Sequence, residues 1–295
     1  MRSPLIVVAG PTGVGKSALA LRVAEEIGGE IVNYDSIQIY RGFDIGSAKP
    51  SAADRERVPH HLFDIVDADH EFNAADYARF AALTCEEIAS RGRRAVLAGG
   101  TFFYLRAFLA GLPKMPGRNP RIRERLRRIA PARLHRWLSK VDPQSGRKIA
   151  PADRHRVERA LEVWIASGRP ISSWGHAVEE IPSIKIALAL DRPSLVAALD
   201  RRVEAMYANG LVDETRQLLA RFPRSARPFG AIGYAEAAAV VTGERTMEDA
   251  VAETRRRTRA YAKRQMTWLR AERNVHWVDA GDPDKALEVA LRLVG

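Results

Sequence analysis

The stretch Gly10-Pro11-Thr12-Gly13-Val14-Gly15-Lys16-Ser17 fills every fixed position of the pattern G-x-x-x-x-G-K-[ST]. Before it, Leu5 to Ala9 is an unbroken apolar run, suited to a strand buried on both faces. After it, Leu19, Leu21, Val23, Ala24 and Ile27 give Ser17 to Ile27 a helical period. Strand, glycine-rich loop and helix in that order form a phosphate-binding device. The glycines let the backbone wrap closely and aim N–H groups inward, the helix start adds partial positive charge, and Lys16 adds a full one. The Ser17 hydroxyl is placed to ligate Mg²⁺ bridging phosphate oxygens. A plain tight turn between strand and helix would need neither Lys16 nor Ser17.

Glu30 to Asn33 reads as a second strand ending at Tyr34-Asp35-Ser36, and Ala74 to Arg91 as a helix through Tyr77, Ala81 and Ile88. Ala95 to Ala98 is a third buried strand, closed by Gly99-Gly100-Thr101. The alternation predicts an α/β fold, a P-loop-type parallel sheet flanked by helices. Pro113, Pro116, Gly117 and Pro120 then punctuate the chain, and Arg-rich helical patterns run to about Trp174. Strand character returns at Ile184 to Leu190, helices are expected over 193–208, 210–221, 232–242 and 247–270, and Val275 to Val278 is a late strand. The expected organisation is therefore a catalytic core of 1–113 and 183–295 with an all-helical insertion domain at 114–182.

With 46% hydrophobic and 28% charged residues, the composition is that of an ordinary globular protein. No run approaches the ~18 apolar residues of a membrane span, and Met1-Arg2-Ser3-Pro4 lacks a signal-peptide pattern. Cys85 is the one cysteine, which excludes an internal disulfide and suits a reducing compartment, so a cytoplasmic location is expected. The net charge of +11 is unevenly spread. Lys114, Arg118, Arg121, Arg123, Arg125, Arg127, Arg128 and Arg133 form one basic concentration. Arg255, Arg256, Arg257, Arg259, Lys263, Arg264, Arg270 and Arg273 form a second. Clustered arginine attracts polyanions and is a usual nucleic-acid footprint.

Ligands of open parallel sheets bind beyond the carboxyl ends of the strands, which places Asp35 and Thr101 on the same rim as the phosphate loop. Asp35 is then a base or acceptor for an incoming nucleophile, and Thr101 can orient an oxygen of the leaving group. Gln38 can pair donor and acceptor with a base edge. The strand Ala95 to Ala98 ends without the carboxylate that a nucleoside triphosphatase usually uses to hold its metal. His60-His61 lacks the further ligands of a metal site and reads as structural. On the residues alone an ATP-using kinase of a nucleoside or small metabolite and a non-catalytic nucleotide-dependent RNA-binding protein both stay open.

Several segments together resemble one family, the bacterial tRNA dimethylallyltransferases or isopentenyltransferases. They are Gly-Pro-Thr-Gly-Val-Gly-Lys-Ser (10–17), Asp-Ser-Ile-Gln-Ile-Tyr (35–40), Asp-Ile-Gly-Ser-Ala-Lys-Pro (44–50) and Pro-His-His-Leu (59–62). Gly-Gly-Thr (99–101), Arg-Val-Glu-Arg-Ala-Leu-Glu-Val (156–163), Ala-Ile-Gly-Tyr (231–234) and Lys-Arg-Gln-Met-Thr-Trp-Leu-Arg (263–270) follow in the family's order. The resemblance implies transfer of a dimethylallyl group from dimethylallyl diphosphate to N6 of adenosine 37, beside the anticodon. It implies Asp35 and Thr101 as catalytic residues, and Gly10, Pro11, Thr12, Gly13, Val14, Gly15, Lys16, Ser17 and Arg202 as the diphosphate site, with Mg²⁺ on Ser17. It also implies contact of the tRNA anticodon stem-loop with Asp35, Ser36, Ile37, Gln38 and Thr101. By the same analogy Arg123, His155, Arg156 and Arg159 of the insertion, and Lys263, Arg264 and Gln265 of the late helix, touch the tRNA. A monomer without membrane attachment is expected. Ala235, His155 and Ala198 stand where the family usually has Lys or Arg, Gln, and a basic residue, which leaves Arg202 as the diphosphate ligand of its pair. The chain ends at Gly295 without the zinc-finger-like tail of eukaryotic relatives, which fits a bacterial enzyme.

Overall fold

Val7 pairs with Leu97 on one side and Lys185 on the other, so the first apolar run is a central strand of a parallel sheet. The computed structural model describes residues 4–175 and 180–295. The N-terminal triplet Met1-Arg2-Ser3 and residues 176–179, inside the expected insertion, lie outside the described residues. The sheet has six strands: β1 (Leu5–Ala9), β2 (Glu30–Asn33), β3 (His60–His61), β4 (Ala95–Ala98), β5 (Ser183–Ala189) and β6 (Val275–Asp279). Their spatial order is β3-β2-β4-β1-β5-β6 and every pairing is parallel. Connections from β1 run towards β2, and those from β4 run towards β5. The crevice between β1 and β4 is therefore the topological switch point, where ligands of such sheets bind.

The period of two along β1 divides its side chains between faces. Ile6 and Val8 join a core with Leu19, Val23 and Ala24 of α1 (Lys16–Glu26) and with Ala286, Ala290 and Val294 of the last helix, Pro283–Val294. The opposite face is covered by Ala74–Ser90 and Phe102–Leu109, which pack on each other through stacked Tyr77 and Tyr104. In chain order the helices are α1, α2 (Ala52–Arg57), α3 (Ala74–Ser90), α4 (Phe102–Leu109), α5 (Pro120–Arg127), α6 (Pro131–Val141), α7 (Pro143–Lys148) and α8 (Arg154–Ser167). They continue with α9 (Arg192–Ala208), α10 (Leu211–Leu219), α11 (Tyr234–Val241), α12 (Met247–Ala271) and α13 (Pro283–Val294). Among the described residues no helix is long and apolar enough to cross a membrane.

The chain divides into two compact units, 1–109 with 180–295, and 110–179. The second holds α5 to α8 around Leu126, Leu134, Leu138, Val157, Ala160 and Leu161. Its helices start on side-chain caps: Asn119 for α5, Asp142 for α7 and Asp153 for α8. Asp142 accepts from the N–H and hydroxyl of both Ser145 and Ser172, bonds that hold its carboxyl below the usual range against the raising effect of burial.

His60 and His61 are structural, and more so than their spacing indicates. They form β3, one of the sheet's two edge strands. His61 Nε2 lies 2.6 Å from the buried Glu30 carboxylate, which also accepts from Arg91 at 2.7 Å, while His60 Nδ1 meets the Val58 carbonyl at 2.7 Å.

Candidate active site

Gly10 has φ +147° and a Cβ there would meet the Leu188 carbonyl at 2.9 Å, so the chain leaves β1 by a path that only glycine follows. The loop ends at Gly15, which caps α1 in a left-handed conformation with φ 99°. Lys16 reaches back and donates to the Pro11 carbonyl at 2.8 Å. Burial and then the neighbouring Arg202 pull its ammonium down to about 7, against the opposing pull of Asp35. Arg202, on α9, is half-buried and depressed by the same desolvation, with Asp35 again opposing. Among the described residues the Arg202 guanidinium has no hydrogen-bond or ion-pair partner. Two crowded cations with one carboxylate nearby are the electrostatic signature of a site shaped for an anion.

Asp35 leaves the end of β2. Its N–H donates to Asn33 Oδ1 at 2.7 Å, and its own Oδ1 accepts from the Ile37 N–H at 2.9 Å. The other carboxylate oxygen lies over Gly100, where a Cβ would come within 2.8 Å of it. Gly100 is thus the residue that lets the tip of β4 approach the carboxylate. Thr101 Oγ1 accepts from the Ser36 N–H at 3.0 Å and donates to Ser36 Oγ at 3.1 Å, which ties the tips of β2 and β4 together.

Two cavities meet at this rim. One, of about 320 Å³, is lined by Gly13, Lys16, Ser17, Gln38, Arg202 and Tyr261 among others. The second, of about 310 Å³, is lined by Ser36, Ile37, Thr101, Met206, Thr258 and Arg264 among others. Thr12, Asp35, Ser47, Arg202 and Tyr261 border both. Asp35 therefore stands between a chamber with phosphate-loop chemistry and a chamber with a mixed apolar and polar wall. That is the arrangement required for a group to pass from one ligand to another.

The sequence-derived candidates fall into three groups. Gly10 to Ser17, Asp35, Ser36, Ile37, Gln38, Thr101 and Arg202 come together at the rim. His155 and Arg156 lie exposed at the start of α8, and Lys263 and Arg264 are exposed on α12, with the Arg264 guanidinium 5.7 Å from the Tyr261 ring centroid. Arg123 and Arg159 close on Glu162, whose side chain is fully buried: Arg123 donates through Nε and Nη2 at 3.0 Å each, and Arg159 through Nη1 at 2.8 Å. Burial alone would raise Glu162, but Arg123, the Asn119 N–H and Arg159 hold it below its usual value.

Three expectations need correction. Gln265, expected to touch tRNA with Lys263 and Arg264, is instead 3% exposed, accepts from the Thr12 N–H at 2.7 Å and donates to the Gly100 carbonyl at 2.8 Å. Gln38 donates to the Ser47 and Ala48 carbonyls at 3.0 and 3.1 Å, so its amide nitrogen is engaged by the loop and Oε1 is the group that can face a ligand. The first half of the late basic concentration is answered within the chain. Arg255 pairs with Glu204, Arg256 with Glu253, Arg257 with Glu236 and Arg259 with Asp200. Tyr261, which donates to the Gly100 carbonyl at 2.7 Å, was not singled out by the sequence reading; its position one turn before Gln265 on the helix is the signal that connects them.

A model of the family described as IPP transferase matches residues 38–272. The chain is 46% identical to tRNA dimethylallyltransferase 1 of Citrifermentans bemidjiense, over 93% of this chain and 92% of that one. It is 41% identical to the tRNA dimethylallyltransferase of Geobacter sulfurreducens, over 100% and 98%. Among solved structures it is similar to the tRNA isopentenylpyrophosphate transferase of Bacillus halodurans, with TM-score 0.75, 35% identity and coverage of 100% and 96%. It also resembles a eukaryotic dimethylallyltransferase acting on tRNA, with TM-score 0.82, 26% identity and coverage of 98% and 78%.

Proposed function

The chain belongs to the IPP transferase family, and on that premise we propose that it is a tRNA dimethylallyltransferase, moving a dimethylallyl group from dimethylallyl diphosphate to N6 of adenosine 37. The observation that carries this reading is the placement of Asp35 between the two cavities, with Lys16 and Arg202 beside it. The diphosphate occupies the phosphate-loop chamber, against the loop residues Gly10 to Ser17, Lys16 and Arg202. The adenine, turned out of the anticodon loop, enters the other chamber beside Ser36, Ile37 and Thr101.

The N6–carbon bond forms as the carbon–oxygen bond to diphosphate breaks, and the electron pair leaves with the diphosphate. Asp35 accepts the proton released from N6, because an exocyclic amine is a poor nucleophile until that proton has somewhere to go. Lys16 and Arg202 answer the charge that develops on the leaving group, which favours the transition state over the ground state. Thr101, held on Ser36, orients the acceptor relative to Asp35. Mg²⁺ fits the donor set, since that ion is usually held by one or two protein oxygens together with substrate phosphates; Ser17 would hold it, and it would neutralise diphosphate charge. Phosphates of the anticodon stem-loop are taken by Lys263 and Arg264 on the core and by His155 and Arg156 on the helical unit, where Arg123 and Arg159 are held on Glu162. The functional setting is the cytoplasm, where tRNA is the partner and a monomer suffices.

Incubation with unmodified anticodon stem-loop RNA, Mg²⁺ and labelled dimethylallyl diphosphate tests the reading. Label is expected on the RNA, at the adenosine next to the anticodon. Brisk ATP turnover with no label on RNA would replace the reading with a kinase.

A further inference from the structure

Gln265 is a buried amide whose two ends serve two different parts of the site. Its Oε1 accepts from the N–H of Thr12, in the phosphate loop, at 2.7 Å. Its Nε2 donates to the carbonyl of Gly100, next to Thr101, at 2.8 Å. The loop amide it takes is one of the N–H groups that the motif alone would assign to the anion, so the loop's first turn is fixed by protein rather than by ligand. The same Gly100 carbonyl accepts from Tyr261, and Gly100 is the residue pressed against the Asp35 carboxylate.

We propose that Gln265 is a positioning residue that fixes the distance between the diphosphate loop and the β4 tip carrying Thr101. The inference rests on the prenyl-transfer reading above. Both bonds span more than one hundred and sixty positions of sequence; the one to Gly100 is buried and the one from Thr12 is partly buried, so losing the amide strips the Gly100 carbonyl and the Thr12 N–H of their protein partner together. The attachment of α12 does not depend on Gln265. Trp268 stacks on Phe102 at 4.5 Å and 4°, and Leu269, one turn beyond Gln265, is buried. Loss of the amide therefore releases the loop and the tip from each other while the helix keeps its place. A shift of reacting groups by about 1 Å can cost about 10²-fold in turnover.

Gln265→Ala is expected to lower kcat about 10²-fold at saturating donor and RNA, with RNA affinity and melting midpoint close to those of the unchanged protein. Gln265→Glu provides a readout that packing alone would not move. As a carboxylate it keeps an acceptor for Thr12 but turns a second acceptor towards the Gly100 carbonyl. When protonated it regains a donor there, and burial raises the pH at which that happens. The ratio of its kcat to that of the unchanged protein should climb as pH falls from about 8 to about 6, while the ratio for Gln265→Ala stays flat. Flat ratios for both variants, or a fall in melting midpoint with kcat intact, overturn the positioning role even though the unchanged protein transfers the prenyl group. Calorimetry with inorganic diphosphate separates the two ideas. If the unchanged protein binds diphosphate without transferring any prenyl group, and the Gln265→Glu affinity still recovers at lower pH relative to that of the unchanged protein, the positioning role stands and the transfer reading falls.

Discussion

At the sheet rim, Lys16 and Arg202 crowd one another beside a single carboxylate, and Lys16 falls back on a backbone carbonyl of its own loop. In the helical unit, Arg123 and Arg159 close on one fully buried carboxylate, Glu162. Both regions set two cations beside one carboxylate, but only in the second do the cations bond to it directly. A cation answered by a buried carboxylate helps to hold a fold together, and removing one partner leaves an uncompensated charge. Cations without such an answer are held at a cost in free energy, which a bound anion offsets. Pairing, rather than the density of arginine, separates the ligand site from the scaffold.

The largest expected effect tests the rim. Asp35→Ala should reduce prenyl transfer by about 10²- to 10⁴-fold, the usual contribution of a positioned base, with RNA binding nearly intact. Equal loss of both would return Asp35 to a purely structural role as the cap of the turn at Ile37. The second test addresses the scaffold. Glu162→Ala should destabilise the helical unit by about 3–5 kcal/mol, read as a lower melting midpoint. Glu162 is held below its usual 4.5, so its contribution is present above that value and is lost as pH falls through the lower, folded one. Acid unfolding should accordingly lose one of its proton-uptake steps in Glu162→Gln. An unaltered acid transition would show that the pair contributes nothing net.

The contrast was only partly legible in the sequence. β1, the loop and α1 announce themselves because a fixed motif sits at the junction of two periodic segments. Asp35 and Thr101 were placed by topology, since residues at strand ends of a parallel sheet share one rim. α4 and α13 were not anticipated, although Asp282 and Pro283 are a sound start signal for α13 and its Asp282 cap forms. β3 is two residues long, too short to show a period. Gln265, Tyr261 and the partners of the arginines were out of reach for another reason. Their roles are set by contacts between distant segments, and a run of Arg in the chain says nothing about which carboxylate the fold will bring to it.

A smaller effect concerns protons at the rim. Lys16 is depressed to about 7 in the free site, against 10.5 ordinarily. Between those values the free amine is mostly neutral, and a bound diphosphate restores its charge by raising its affinity for a proton. Binding of dimethylallyl diphosphate at about pH 8.5 should therefore take up close to one proton. The uptake is read as a binding enthalpy that varies with the ionisation heat of the buffer. Below about pH 6 Lys16 is already charged and its uptake should vanish. Lys16→Met should remove it at every pH. Buffer-independent binding at the higher pH would mean that the free site already holds a charged lysine, and the contrast between an unanswered and an answered cation would lose its best example.

The smallest effect discriminates among the arginines themselves. Each phosphate contact adds about 0.7 to 0.9 to the slope of log affinity against log salt. Lys263→Ala should lower that slope by about one such step and leave the melting midpoint in place, because its side chain is exposed. Arg259→Ala should leave the slope unchanged, since its guanidinium is answered by Asp200. Arg123 is the informative intermediate. Its fork spends Nε and Nη2 on Glu162, which fixes the plane of the guanidinium and leaves Nη1 geometrically free to take a phosphate. Arg123→Ala should then do both things, lowering the slope by one step and the melting midpoint with it. A lowered midpoint with an unchanged slope would make Arg123 scaffold alone, and the division between answered and unanswered cations would be complete.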